Sequence, residues 1–209
     1  MKKQNVDMLQ GTPWKQMLRF AIPVFFGVVF QQLYSTVDSI VVGNYLGSSA
    51  LAAVTSSGHM IFMIVSLFHG FAQGAGIVIA RFFGAGDKDN LEKAIHTDMV
   101  FGSILGILIT VIGVLITPTL LRLVDTPAEM MQEAVTYFRV YFMGLMTLVI
   151  YNTCVGILQS IGDSKHPLYY LIISSLLNIV LDILFVGRLG SGVGGAALAT
   201  IIAQGVSAV

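Results

Sequence analysis

The sequence predicts an all-α integral membrane protein with about six transmembrane helices. Two observations predict this fold class: the composition, and the spacing of the charged residues. Hydrophobic residues make up 56% of the chain and charged residues 11%, with a mean hydropathy of +0.84, whereas average soluble chains carry roughly 25% charged residues. The charges lie between apolar runs long enough to cross a bilayer, which takes about 20 residues per helix. A soluble domain and a disordered chain are excluded, and the net charge of zero implies no nucleic-acid partner.

Six apolar runs follow a basic, polar segment at residues 1–14, which we expect in the cytoplasm. A transmembrane bundle is predicted over 15–209, with helices at about 17–42, 51–80, 99–116, 137–159, 168–186 and 193–209. The third helix is predicted to stop at Pro118, because proline breaks the helical hydrogen-bond ladder. The last run holds only about 15 apolar residues, short of a full span. We therefore expect a truncated sixth helix, in a fragment of a longer protein.

The distribution of Lys and Arg predicts a cytoplasmic N-terminus. Eight of these residues lie at the N-terminal end, within residues 2–19, and in the loops after the second and fourth helices, against three on the other side. Cytoplasmic loops carry the excess of positive charge. We expect a multi-pass protein of the plasma membrane, the inner membrane of a bacterium, in contact with membrane lipid.

Two predicted cytoplasmic turns share a glycine–aspartate pattern, GAGDK at 84–88 and GDSK at 162–165. This pattern is typical of a C-cap glycine followed by solvated charge. The alternative is that they are matched gate turns of a transporter.

Small residues and one proline punctuate the helices. Gly70 and Gly74, and likewise Gly102 and Gly106, have the spacing that lets helices approach closely in lipid. Pro23 lies inside the first helix, where the loss of one backbone hydrogen bond predicts a kink or a hinge.

Polar residues inside the apolar runs are the candidate functional residues. Asp38 and Asp182 lie well inside predicted helices, where an aspartate costs at least roughly 2.5 kcal/mol on insertion scales. Gln31, Tyr34 and Asp38 share one helix face at i, i+3 and i+7. Asn178 shares a face with Asp182 at i, i+4.

These groups are predicted to lie at one depth in the outer half of the membrane. At 1.5 Å per residue, Asp38 and Asp182 lie about 7 Å from the outer ends of their helices, and Thr200 lies about 9 Å in. They would line one cavity if their helices are neighbours, with Asn152 of the fourth helix as a further candidate. The alternative is that they hydrogen-bond one another to fix helix packing. Tyr137 is expected to anchor its helix at the membrane interface.

The sequence holds no enzyme signature. It has no nucleophile elbow, no phosphate-binding loop of the Walker type and no zinc-protease helix motif. The single cysteine, Cys154, has no metal-ligand spacing around it. We expect neither catalysis nor a bound cofactor.

Five segments carry a family resemblance. They read QQLYSTVDSIVVGNYLGSSALAAV, GFAQGAGIVIARFFGAGD, GILQSIGDSKHP, LLNIVLDILFV and GVGGAALATIIAQ. Their order and spacing resemble the N-terminal half of the multidrug and toxic compound extrusion family, from about Thr12 onward. The resemblance implies one lobe of a twelve-helix, two-lobed transporter, here without its C-terminal lobe. It also implies export of organic cations, driven by inward movement of H⁺ or Na⁺.

The resemblance places the family's coupling residues on positions already singled out. It implies that the coupling cation is bound by Asp38, Asn178, Asp182 and Thr200, which would form the metal ligand set if that cation is Na⁺. Gln31, Tyr34 and Asn152 are the candidates for the substrate cavity, and Pro23 for the hinge. A carboxylate withdrawn from water can bind a proton reversibly. Protonation or Na⁺ binding from outside would then neutralise the pocket, release a cationic substrate and let the helices repack around the proline.

The sequence leaves three alternatives open. An exporter of lipid-linked sugars from the same superfamily would line its cavity with cationic residues, whereas the membrane-embedded charge here is acidic. An intramembrane enzyme would have only the dyad of Asp38 and Asp182. A channel is disfavoured because no helix carries a continuous polar stripe.

Overall fold

The computed structural model describes residues 11–208, apart from the side chains of residues 49, 53, 56–60 and 64–65. The described residues form helices and short connections without a strand. The helices are α1 (Pro13–Ser48), α2 (Ile61–Ala85), α3 (Lys88–Leu123), α4 (Ala128–Met143), α5 (Leu145–Ser160), α6 (Lys165–Asp182) and α7 (Gly192–Ala208). A π-helix, Ile183–Arg188, extends α6. Most of the expected cytoplasmic segment, residues 1–10, lies outside the described residues.

Length and hydropathy make several of these helices candidate membrane spans. In the described part of the chain, four helices are long and apolar enough to cross a membrane, namely α1, α2, α3 and α6 with its π-helical extension. The bent pair of α4 and α5 makes a fifth if it crosses as one unit, and α7 is a shorter apolar helix. The all-α membrane fold predicted from composition is therefore confirmed.

A glycine near the end of α1 breaks the helical stretch that continues into α2. The helical stretch Pro13–Ala85 is interrupted at Gly47, where φ is 88° and ψ is −177°, a conformation open essentially only to glycine. At Pro23 the backbone keeps helical dihedral angles, and the ring is half-buried.

The third helix differs from the prediction at both ends. It begins at Lys88, well before residue 99, and it continues through Pro118 to Leu123. The predicted stop at Pro118 is wrong because packing overrides the missing hydrogen bond: Thr117 and Leu121 on the last turns are 0% and 2% exposed. Tertiary burial therefore stabilises a turn that local sequence disfavours.

The fourth predicted helix, 137–159, is two helices that meet at an angle of 51°. The bend falls at Gly144, where a side chain would overlap Ile201 of α7. The absence of a side chain at Gly144 therefore lets α7 lie directly against the bend. The helix also starts earlier than predicted, at Ala128.

The two glycine–aspartate turns have matching structures. Gly86 and Gly162 both adopt left-handed backbone angles, with φ of 70° and 84°. Asp87 then caps α3, accepting hydrogen bonds from the Asn90 backbone at 3.1 Å and side chain at 2.7 Å. Asp163 accepts two backbone N–H bonds at the start of α6. The hydrogen bonds from Asn90 hold the pKa of the Asp87 carboxyl below its usual value.

The two small-residue motifs have different surroundings. Built Cβ atoms at Gly102 and Gly106 would lie 3.1 Å from Thr153 Oγ1 and 3.3 Å from a Val149 methyl, so α3 and α5 approach closely there. At Gly70 and Gly74, no other described atom comes within 4 Å of the Cβ position. The predicted close packing is confirmed for α3, whereas this face of α2 is open in the described structure.

Candidate functional site

The two membrane-embedded aspartates meet between neighbouring helices. α1 packs against both α6 and α7. The predicted polar residues could share one cavity only if these helices were neighbours, and they are. Asp38 of α1 and Asp182 of α6 lie within hydrogen-bonding reach of each other. Asp182 is 0% exposed and Asp38 is half-buried. Helix packing therefore brings together two carboxyl groups that are distant in sequence.

Asn178 and Thr200 hold the Asp182 side of the site. Because a carboxylate only accepts hydrogen bonds, the Asn178 amide is oriented with its nitrogen toward Asp182. Nδ2 then donates to Asp182 Oδ2 at 2.9 Å, and the Thr200 N–H donates to Asn178 Oδ1 at 3.2 Å. The opposite orientation would point oxygen at oxygen and keep a 3.3 Å bond from Nδ2 to Thr200 Oγ1. Asn178 thus links α6 to α7 while it positions the carboxyl.

One oxygen of each aspartate is left without a partner. Asp38 Oδ1 and Asp182 Oδ1 are buried and accept no hydrogen bond from any described residue. An unpaired buried polar atom costs free energy, most of all for an ionised group. Two carboxylates this close also repel each other unless a proton or a cation lies between them. The pair is therefore chemically suited to bind one or the other.

Two tyrosines lie near the carboxyl pair, Tyr34 and Tyr137, and a third, Tyr141, stacks on Tyr137. The Tyr34 hydroxyl lies within hydrogen-bonding reach of Thr200 and close to Asp38. Tyr137 and Tyr141 of α4 stack with ring centroids 6.3 Å apart and an interplanar angle of 27°. Tyr137 is buried at 6% exposure beside the site, so its expected role as an interfacial anchor is wrong. The physical reason is that α4 begins at Ala128, so Tyr137 lies in mid-helix rather than at its start.

Sequence reasoning missed the part that α4 plays in the site. The i, i+4 spacing of Tyr137 and Tyr141 was a signal that both rings share one helix face. This spacing did not show which residues the two rings contact, because nothing in the sequence places α4 against α1.

A small cavity of about 20 Å³ lies beside the site, roughly the room for one water molecule. It connects the predicted substrate residues to the predicted coupling residues. Its polar lining comes from α1, α5, α6 and α7, namely Gln31, Tyr34, Tyr151, Ser174, Ser175, Asn178, Thr200 and Gln204.

Two of the predicted residues lie elsewhere. Asn152 is buried, and its amide donates to the Leu148 carbonyl of its own helix at 2.8 Å, so it does not line the small cavity. Pro23 is 15 positions before Asp38 on α1, a distance of about 22 Å along a helix. It is therefore not part of the carboxyl site.

The donor set suits a hard cation. In the described part of the chain, no group of three or more His, Cys, Asp or Glu side chains could hold a metal ion. The site offers two carboxyls, a threonine hydroxyl and a tyrosine hydroxyl, all of them oxygen ligands. Oxygen ligands favour hard cations over zinc or copper.

Comparison with known proteins gives a consistent set of relatives. Residues 23–184 match the family model described as MatE. The chain is 33% identical over 193 residues to the probable multidrug resistance protein YoeA of Bacillus subtilis (strain 168), covering 90% of this chain and 42% of that protein. It is 32% identical over 201 residues to YpnP of the same organism, also a probable multidrug resistance protein, covering 96% of this chain and 45% of YpnP.

A solved structure shows the same fold. A MOP superfamily transporter from Pyrococcus furiosus Vc1 (DSM3638) matches with a TM-score of 0.91 and 34% identity, covering 100% of this chain and 46% of that one. For that transporter, a reversed polarity of the binding pocket has been taken to suggest a different function. The chain thus spans about half the length of the relatives that it matches.

Proposed function

The chain belongs to the MatE family, the multidrug and toxic compound extrusion family, and on this premise we propose that it is the N-terminal lobe of a cation-coupled exporter of organic cations. Members of this family are membrane transporters, so the chain is a multi-pass membrane protein and not an enzyme. The observation that carries the proposal is the carboxyl pair of Asp38 and Asp182, buried between α1 and α6 with unpaired oxygens.

We place the coupling ion at this pair. A proton shared by the two carboxyls would relieve their repulsion with no change in the surrounding hydrogen bonds. A Na⁺ ion would need more oxygen ligands, which the Thr200 hydroxyl and a rotated Asn178 amide would supply. We propose the proton as the coupling ion, because it needs only the two carboxyl groups and no further oxygen ligands.

The substrate would compete with the coupling ion for the same charge. An organic cation needs a counter-charge and an aromatic or apolar wall, which Asp38 offers together with Tyr34. Gln31 is exposed on the surface of the lobe and also lines the small cavity, so it lies where a substrate would enter. Binding of the ion removes the negative charge, which lowers the affinity for the cation and releases it outward.

We propose Pro23 as the hinge between two helix arrangements. Its position lacks one backbone hydrogen bond while the helix remains regular, so α1 can bend there at a lower cost than elsewhere. Because Asp38 is on the same helix, bending of α1 would move one carboxyl relative to the other.

Ion-driven efflux from vesicles tests the proposal. The protein is reconstituted together with the C-terminal lobe that we propose as its partner, and ethidium efflux is followed after a pH jump and, separately, a Na⁺ jump. We expect gradient-driven efflux in the wild type and none in Asp38→Asn. The control is Asp125→Asn, which neutralises an exposed acid in the turn before α4.

Each outcome has a defined meaning. Efflux in Asp38→Asn equal to that of the wild type would refute the coupling role. Efflux that follows only the Na⁺ jump would replace the proton by Na⁺. No efflux of any cation from folded protein would refute organic cations as the substrate class and would favour the exporter of lipid-linked sugars or an unrelated substrate.

A further inference from the structure

A groove of about 820 Å³ lies between α2 and α3, apart from the carboxyl site. It extends from Phe82 and Asn90, beside the α2–α3 turn, to Ser66 deeper along α2. On the orientation predicted from Lys and Arg, this is the cytoplasmic leaflet. None of its lining residues lines the small cavity or forms the carboxyl pair.

Aromatic side chains form the walls of this α2–α3 groove. The rings of Phe71 on α2 and Phe101 on α3 contact each other at a tilted angle of 57°, with centroids 5.8 Å apart. Both rings are about half exposed, at 46% and 51%. Gly70 and Gly74 have no side chain to fill the space on the α2 side, which widens the groove between the neighbouring side chains. Its volume lies in the range of roughly 300–1,000 Å³ typical of small-molecule sites.

One carboxyl group lies in this apolar groove. Asp98 lines it, and its Oδ2 is buried without a hydrogen bond from any described residue. Lys93 lines the groove five positions earlier on α3, about 7.5 Å nearer the turn at 1.5 Å per residue. The deeper part of the groove therefore combines a negative charge with aromatic faces, the pair of features that recognises an organic cation.

We propose that the α2–α3 groove binds amphipathic organic cations from the adjoining membrane leaflet, with Asp98 as the counter-charge and Phe71 and Phe101 as aromatic walls. A transmembrane helix seated in the groove would bury the rest of the Asp98 carboxyl without a described hydrogen-bond donor, which is costly. An anionic headgroup reaching past Lys93 would meet the like charge of Asp98. A cation with an apolar body satisfies both the carboxyl and the walls.

This site goes beyond the proposed function, because binding here needs neither an ion gradient nor the pair of Asp38 and Asp182. It would raise the local concentration of a membrane-dissolved cation next to the transporter. The two proposals can therefore fail separately.

Cysteine protection tests the groove directly. Val78 lines it at 47% exposure, so Val78→Cys, made in a Cys154→Ser background, reports access to the groove. In nanodiscs of the full transporter, a membrane-permeant maleimide should label this cysteine, and tetraphenylphosphonium should slow the labelling. In Asp98→Asn, the tetraphenylphosphonium concentration that gives half protection should rise roughly fivefold or more, as for the loss of one ion pair of about 1 kcal/mol.

Controls separate the groove from other effects. Asp89→Asn neutralises an exposed acid on the same helix outside the groove and should leave the protection unchanged. Asp38→Asn should abolish efflux and still show protection. Phe101→Ala provides a second test of the binding mode if Asp98→Asn folds poorly, and it should also weaken the protection.

Three results would overturn the inference. A cysteine at position 78 that stays unreactive without any cation would show that the groove is closed to small molecules. Protection unchanged in both Asp98→Asn and Phe101→Ala would place the cation elsewhere. Protection by phosphatidylglycerol and not by tetraphenylphosphonium would assign the groove to an anionic lipid.

Discussion

Replacing Asn178 by Leu removes the hydrogen-bond donor that positions Asp182. The Asn178 Nδ2 lies 2.9 Å from Asp182 Oδ2, and the other oxygen of this carboxyl has no partner among the described residues. The substitution therefore leaves a fully buried carboxyl without its described donor. A hydrogen bond to a charged group is worth about 1.5–3 kcal/mol, so we expect the free energy of unfolding to fall by that amount.

The reverse substitution removes the carboxyl and leaves the amide. In Asp182→Leu, the buried Asn178 nitrogen loses its acceptor, which costs about 1–3 kcal/mol. In the double variant neither group is left unpaired, and such replacements are often close to neutral. The cost of the double variant should therefore be smaller than the sum of the two single costs, by a coupling energy of about 1.5–3 kcal/mol.

Equilibrium unfolding by SDS in mixed micelles measures the four proteins of this cycle. Additive costs, with a coupling below about 0.5 kcal/mol, would refute the hydrogen bond, because independent sites add within that limit. Asn152 provides the matched control, since it is also a buried asparagine but its amide donates to a carbonyl of its own helix, α5. Asn152→Leu should therefore show no coupling to Asp182→Leu.

Single substitutions test the helix packing, the turn after α1 and the cap of α3. Gly113→Ala should lower the free energy of unfolding by about 1–3 kcal/mol in SDS titration, because a Cβ there would overlap the Phe142 ring. Gly70→Ala is the control, since a Cβ there would lie in open space and should change the stability little. Equal effects of the two substitutions would contradict the packing. Gly47→Ala should cost about 1–3 kcal/mol by the same titration, because φ is 88° there, and an unchanged stability would mean that the turn rearranges. The folded pKa of Asp87 is lower than its unfolded value, so its cap is fully present above about pH 4 and is lost as the pH falls through the folded pKa. The first turn of α3 should therefore exchange its amide hydrogens more slowly in the wild type than in Asp87→Ala at pH 6, and this difference should shrink at pH 3. A difference that does not change with pH would contradict the cap.

The membrane fold was predictable because the bilayer acts on composition directly. Long apolar runs and the placement of charge required helices, whatever their packing. The turn at Gly86 and the cap at Asp87 were equally predictable, since a glycine–aspartate pair sets its own backbone geometry within a few residues.

The helix ends were predicted less well, because distant contacts decide them. Local sequence ends the third helix at Pro118, whereas the burial of Thr117 and Leu121 carries it to Leu123. The bend at Gly144 likewise depends on Ile201, which lies far along the chain.

The sequence by itself determined that Asp38 and Asp182 are expensive in a membrane. Helix spacing and depth added Asn178 and Thr200 as their candidate neighbours. Only the tertiary structure decided that these residues face one another, that Tyr137 lies beside them and that Asn152 does not line their cavity. The physical reason is that the cost of burying a charge depends on the residue and its depth. The partner that offsets this cost is supplied by another helix, and the packing of helices places it.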